Sequence, residues 1–380
     1  MGARPGPDGM DELRDRKVVR SLVLDIRKRA ALLAPPVRVM EVCGTHTMSL
    51  YRYGLSPQLS EAGVEMISGP GCPVCITPDA IHEAAIDLVT GRPNLILATF
   101  GDMTRVPTAR GSLRSAVPAA GSEVKVVYSP TEAVAAAAAQ PAKEIVFFGA
   151  GFETTIPSIA HSVREAKRLR LKNFSLLPAL RVIPPPLRTL LEMGETVIQG
   201  FLYPGHVSAI IGVKPYAFIP REYGIPGAVT GFEPADILLG VRSVLEQLRA
   251  GRPEVALVYA RAVRPEGNPA AQALMREVLE PADASWRGMG VLPASGLVLR
   301  KAYAAFDAEH KFGLELSGRE ARRSGCRCGD VLRGVIPPRS CPLFGRRCTP
   351  DRPLGPCMVS FEGACLIHFK YGPVKGARHA

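Results

Sequence analysis

"VEMISGPGCPVCITPDAIHEAAIDLVT" (64–90) decides the fold class. Its opening residues, 64–69, are a short apolar run that reads as a buried strand, and its last thirteen, 78–90, have apolar residues at helical spacing. Between them lies a stiff loop with Cys72 and Cys75 two residues apart around Pro73. Thr77-Pro78-Asp79 offers a cap, a first-turn proline and an early acid, which predicts a helix start there. Strand, loop and helix in that order are the repeating half of a parallel α/β unit.

The same rhythm extends in both directions. Apolar runs at 37–42, 64–69, 95–100 and 124–129 read as four strands, and runs at 144–149, 174–180, 196–202 and 225–231 as four more, with helices between. Ser129-Pro130-Thr131-Glu132 has capping-box spacing, the prolines of 181–190 suggest a rigid turn, 234–250 reads as a helix and 254–263 as a further strand. The expectation is an α/β fold with two similar small parallel-sheet α/β domains, 36–140 and 141–262, plus a Cys-rich domain, 263–380. An amphipathic helix at 11–33 is expected to pack on that last domain. Residues 318–372 are rich in Cys, Gly, Pro and Arg with little periodicity, so a metal centre is their natural staple.

Bulk composition narrows the function classes. With 380 residues, 47% of them hydrophobic, a sizeable core is expected. No apolar run is long enough to span a bilayer, and the first residues have no signal core, so a soluble, cytoplasmic protein is expected, with no membrane partner. The net charge of +12 permits nucleic-acid binding, but no basic block is interleaved with aromatics, and no nucleic-acid partner is expected. Nine cysteines, three near the front and six after residue 325, suit metal or redox work in such a compartment.

In parallel α/β sheets ligands bind beyond the carboxyl ends of the strands, and the unusual residues fall there: 43–46, 69–75, 100–107, 149–155, 203–208 and 230–234. If the two sheets face each other, these six loops share one cleft. Cys43, beside Gly44 and three residues before His46, reads as a nucleophile or metal ligand rather than a small buried hydrophobe. His46 and His206 are each a ligand, a proton carrier or a loop hydrogen-bonder. Glu153, with Thr154 and Thr155 beside it, reads as a site acid; Glu233 is equally a helix-start acid favoured by the dipole. Asp102 is a turn former or a site residue. Cys72 and Cys75 read as a redox dithiol, with Cys75 just ahead of the helix start; half of a zinc site, completed by Cys43 and His46, is the alternative.

The last six cysteines, Cys326, Cys328, Cys341, Cys348, Cys357 and Cys365, follow C-x-C-x12-C-x6-C-x8-C-x7-C. No C-x-x-C knuckle of a zinc ribbon occurs among them. Irregular thiolates suit an iron–sulfur cluster better, and a cubane that takes four leaves two spare thiols as a second dithiol.

The motifs "EVCGTHTMSL", "GPGCPVCITP", "FGDMTRVP", "GFETT", "YPGHVS", "GFEP" and "CRCGDVLRG…CPLFGRRCTPDRPLGPCMVSFEGAC" together resemble the HypD family of nickel–iron hydrogenase maturation factors, from about residue 38 to 371. The resemblance implies two similar α/β domains and a third bearing a 4Fe–4S cluster. It implies a scaffold that, with the chaperone HypC, holds one iron while two cyanides, supplied through HypE, and one carbon monoxide are added. The product is then passed to the hydrogenase large-subunit precursor, and the chain acts as a monomer within a heterocomplex. Carried onto this sequence, Cys43 is the iron ligand, shared with a partner cysteine and assisted by His46. Cys72 and Cys75 are the redox dithiol, and Glu153, Thr154, His206 and Glu233 line the cleft. Cys326, Cys341, Cys348 and Cys365 hold the cluster, with Cys328 and Cys357 as the spare pair. On this reading the front three sulfurs and the far-terminal sulfur nest are separate centres. A dithiol oxidoreductase acting on a protein disulfide, using the same cluster and Cys72/Cys75, and a zinc-stabilised nucleic-acid binder are the competing readings.

Overall fold

The computed structural model describes residues 11–316 and 325–372. Strands form where the apolar runs lie: β1 (Val37–Glu41), β2 (Val64–Ser68), β3 (Leu95–Thr99), β4 (Glu123–Val126), β5 (Glu144–Gly151), β6 (Phe174–Leu180), β7 (Gly200–Pro204), β8 (Gly227–Thr230) and β9 (Val255–Leu257). All pair in parallel, in a five-stranded sheet of order β2-β1-β7-β8-β9 and a four-stranded sheet of order β4-β3-β5-β6. The α/β class with two parallel sheets is as expected.

The grouping of strands is not. The first two strands pair with β7, β8 and β9, and the four-stranded sheet is inserted between them. The expected division at residues 140/141 thus falls inside the four-stranded sheet, between β4 and β5. Local periodicity marks a strand but not its partner; β1 lies between β2 and β7 and is buried along nearly its whole length, so its pairing is a long-range choice.

Two further expectations are corrected. The N-terminal helix, Arg16–Ala30, packs on the helix Pro234–Ala250 of the five-stranded sheet, not on the Cys-rich region. Its Val23, Ile26 and Ala30 share a core with Ile237, Leu238 and Val241, while Arg29 reaches Asp25 and Glu246 at the rim. The proline run does not turn the chain but starts the helix Pro184–Met193, since proline is tolerated in a first turn. The capping box at Ser129 and Glu132 is as expected. Residues 279–299, which carry no clean alternation, form an antiparallel hairpin of β10 (Leu279–Trp286) and β11 (Gly290–Leu299).

The largest core lies between the sheets. It joins Met40, Phe201, Tyr203 and Val229 of one with Leu97, Val146, Phe148 and Leu177 of the other. Trp286 and Met289 of the hairpin and Cys328, Cys357 and Cys365 of the C-terminal segment complete it. Among the described residues no helix is long and apolar enough to cross a membrane.

Candidate functional site

Beyond the carboxyl ends of β1, β2, β7 and β8, four loops meet. Cys43 precedes the helix Gly44–Arg52 and is 2% exposed. Its Sγ lies 3.6 Å from Nε2 of His206, in the first turn of the helix Gly205–Ile211 that follows β7. Burial, then the nearby Glu362 carboxylate, pushes this thiol well above the usual cysteine range; backbone N–H groups of His46 and Thr45 pull the other way. Below it, Glu41 accepts from the Cys43 N–H (3.0 Å) and from the Thr47 hydroxyl. Burial holds Glu41 protonated, its pKa raised to about 8 despite those bonds.

His46 is fully buried, with Nε2 3.0 Å from the Gly231 carbonyl. Burial, with His206 adding to it, lowers its pKa to about 3; burial alone lowers His206 to about 4, so both imidazoles are neutral. Phe232 lies against both rings, at 4.9 Å and 4.8 Å between centroids. This residue, inside the "GFEP" motif, was not singled out from sequence; a lone aromatic beside two separated histidines has no sequence signature. Glu233, next to it, is partly buried. It caps the helix Pro234–Ala250 and binds Arg14, whose Nη2 donates at 2.8 Å. Its helix-start role is therefore plain.

The "GPGCPVC" loop abuts Cys43 directly. The Gly44 N–H donates to Gly71 O (3.2 Å), and a Cβ on Gly71 would lie 2.3 Å from Cys43 N. Cys72 and Cys75 are joined as a disulfide with Cα atoms 5.2 Å apart, both buried. The long helix starts at Asp79, as expected, and an extra turn precedes it: Cys72 caps Pro73–Ile76, its Sγ accepting from the Cys75 N–H (3.2 Å), and Thr77 ends it. Proline at position 73 has no N–H to lose and so favours this turn.

From the four-stranded sheet, Glu153 is buried and accepts from the Ile183 N–H (3.0 Å) through one oxygen; the other has no partner. Burial raises its pKa to about 7. Tyr216, fully buried, stacks on Tyr203 at 4.2 Å and feels both Glu153 and Cys43 electrostatically. Thr154 is exposed. Asp102 accepts from the Phe361 N–H (3.1 Å) and pairs with Arg105 (3.2 Å), which ties its loop to the C-terminal segment. That segment also reaches Cys43: Thr45 donates to Glu362 (3.4 Å), and Gly44 faces the Glu362 backbone so closely that no Cβ fits.

All six C-terminal cysteines line one hollow, with Val331, Phe344, Gly355 and Met358 as its other walls. Thiol contacts run Cys326–Cys328–Cys357–Cys365, and Cys348 neighbours Cys326 and Cys341. Among the described residues no three His, Cys, Asp or Glu side chains are set to grip one metal ion. A sulfur-only donor set with apolar walls nevertheless fits a cluster, which takes thiolates spread around several irons. The hollow lies beside the front disulfide. The Pro73–Ile76 turn packs on the helix Cys328–Leu332 and on the turn Pro356–Met358. Chain distance concealed this, because the hairpin and the C-terminal segment fold back between the sheets.

The family described as "Hydrogenase formation hypA family" (HypD) matches residues 17–372. The chain is 44% identical over 374 residues to "Hydrogenase maturation factor HypD" of Rhodobacter capsulatus, covering 96% of this chain and 98% of that protein. It is 45% identical over 371 residues to "Hydrogenase expression/formation protein HupD" of Azotobacter chroococcum, covering 96% of each. To "Hydrogenase maturation factor HypD" of Escherichia coli it is 41% identical over 372 residues, covering 95% of this chain and 97% of that one. The chain belongs to the HypD family of hydrogenase maturation factors.

Proposed function

We propose that this chain is a redox-active scaffold for the iron group of nickel–iron hydrogenase. In this reading one iron ion, as cargo, binds the Cys43 thiolate and a cysteine of a small HypC-type chaperone. There it receives two cyanides, delivered through a HypE-type partner, and one carbon monoxide, and then passes to the hydrogenase large-subunit precursor. The chain works in the cytoplasm as one copy within that heterocomplex. Low-spin iron with such ligands prefers soft thiolate support. Cys43 is the front thiol outside the disulfide, and ligation requires its proton to leave. His206 Nε2 lies 3.6 Å from that thiol, beside the place the iron would take.

Cys72 and Cys75 take up and release electrons beside that iron. Cys326, Cys341, Cys348 and Cys365 would hold a 4Fe–4S group, with Cys328 and Cys357 between them as a second dithiol. When bound, that group supplies electrons one at a time. The observation that carries the reading is the Pro73–Ile76 turn. Its leading glycine touches the Cys43 backbone, and its helix packs on the segments of Cys328 and Cys357.

The test is anaerobic co-purification with a HypC-type partner, followed by iron and sulfide analysis and infrared spectroscopy. The parent complex should show cyanide and carbonyl bands with a brown chromophore. Cys43→Ala should lose the bands and keep the chromophore. Missing bands in the parent, or joint loss of both signals in the variant, would refute the assignment.

A further inference from the structure

The turn of the β10–β11 hairpin is wedged between the front dithiol and the six-cysteine hollow. Gly288, at φ +77°, lies backbone-to-backbone on Gly329; a Cβ there would sit 2.3 Å from the Gly329 Cα. Arg333 donates to the Gly288 carbonyl. Trp286 is pinned by its Nε1–H to Ser295 Oγ (2.9 Å) and lies against Phe152. Between Trp286 and Gly288 stands Arg287. Its main-chain N–H donates to Ile76 O (2.9 Å), and its Nη2 donates to Thr77 O and to Asp79 Oδ1, both at 2.7 Å. The side chain is 15% exposed, its Nε is buried with no partner, and it lines one recess with Asp79, Cys326 and Cys328. The charged and titratable groups that face it are Asp79, Cys326, Cys328 and Cys357, together with neutral His82. A mostly buried cation with an unpartnered donor, in a recess shared with two cysteines, is more than a structural tie.

We propose that Arg287 is a positioning residue for the Cys72–Cys75 pair: its bonds fix the end of the Pro73–Ile76 turn against the six-cysteine hollow, and its charge favours the reduced pair. This rests on the redox role given above to Cys72 and Cys75. Opening the S–S bond takes two electrons and two protons and yields two thiols, a fraction of them ionised. A fixed, poorly screened cation stabilises that negative charge and makes the pair easier to reduce. Asp79 partly offsets the cation.

The full chain is equilibrated in dithiothreitol redox buffers, where dithiothreitol supplies both electrons and both protons and becomes its cyclic disulfide. Thiols are then trapped with a maleimide, and the Cys72/Cys75 peptide is read by mass spectrometry, with no need for a partner or an activity. Arg287→Met should lower the reduction equilibrium at least tenfold, about 30 mV. Arg287→Lys, which keeps the charge and loses the fork, should shift it less than threefold. Asp79→Asn should shift it a few-fold in the opposite direction, and this comparison stands even if Arg287→Met fails to fold. A purely structural tie would move Asp79→Asn and the arginine variants the same way, and that result overturns the proposal. Variants that all titrate with the parent overturn it too and leave the redox role standing. A parent pair that never titrates removes both.

Discussion

Gly71→Ala tests whether the dithiol loop and the Cys43 loop are one unit. A Cβ at 71 would lie 2.3 Å from Cys43 N, 2.4 Å from Cys43 Cα and 2.4 Å from the Val42 carbonyl carbon. Carbon contacts are comfortable near about 3.5 Å. All three obstacles are backbone, so no side chain can swing aside and one loop must retreat by about 1 Å. That movement breaks the Gly44 N–H bond to Gly71 O. Overpacking of this kind costs about 1–3 kcal/mol, and the backbone contact places it near the upper end. At about 2–4 °C per kcal/mol for a larger domain, a cost of about 2–3 kcal/mol should lower the melting temperature by about 4–12 °C. Gly91→Ala is the matched control: a Cβ there meets nothing within 4 Å, at the end of a helix, and the change should be neutral or slightly stabilising. The second readout is iodoacetamide alkylation of Cys43, slow in the parent because the thiol is buried and strongly protonated, and at least tenfold faster in Gly71→Ala. If the two alanine variants melt together and alkylate at the parent rate, the contact between these loops does not exist and the shared site falls with it.

Other perturbations follow from the buried ionisable groups and the disulfide. Glu41 keeps its proton to about pH 8 in the folded state, whereas the unfolded carboxyl loses it near 4.5. The folded chain therefore holds the extra proton, and stability falls as pH rises through that window. Glu41→Gln should gain on the parent between pH 4.5 and 8 in urea titrations and run parallel above; parallel curves throughout would sink the assignment. His82 has neither ring nitrogen partnered, packs on Phe148, and has its pKa lowered by burial to about 3. Its unfolded form binds a proton near 6.5, so this part of the stability drains away as pH falls below that value. His82→Leu should match or exceed the parent at pH 7 and lose less between pH 7 and 5; an equal loss counts against it. Reducing Cys72–Cys75 opens a loop of sequence separation 3, which costs at most about 2 kcal/mol by loop entropy. The reduced chain should therefore still unfold cooperatively, and collapse of its melting transition on adding reductant would exclude a working dithiol.

Much of the site was legible from local patterns. Cys43, His206, Cys72 and Cys75 stood out because each follows a readable strand, and strand ends are where parallel sheets carry ligands. Glu233 was harder, because a carboxylate at a helix start serves the dipole whether or not it serves a ligand. Its partner Arg14 lies more than two hundred residues away. Phe232, Glu362 and Arg287 carried no signal of their own. Trp286 and the two glycines around Met289 mark a tight turn in hindsight, but Pro281 and an irregular alternation hid the strands that lead into it.

The sequence by itself determined the segments of the parallel strands and most of the helices between them, and which loops carry the reactive side chains. Those properties depend on residues within a few positions of one another, through burial period, capping and turn chemistry. Only the tertiary structure decided that β1 and β2 join β7 to β9, that the first long helix docks on Pro234–Ala250, and that the front dithiol lies against the six-cysteine hollow. Those are choices among apolar surfaces far apart along the chain. Any of several pairings satisfies the local pattern, and the preferred one is the pairing that packs all the surfaces at once.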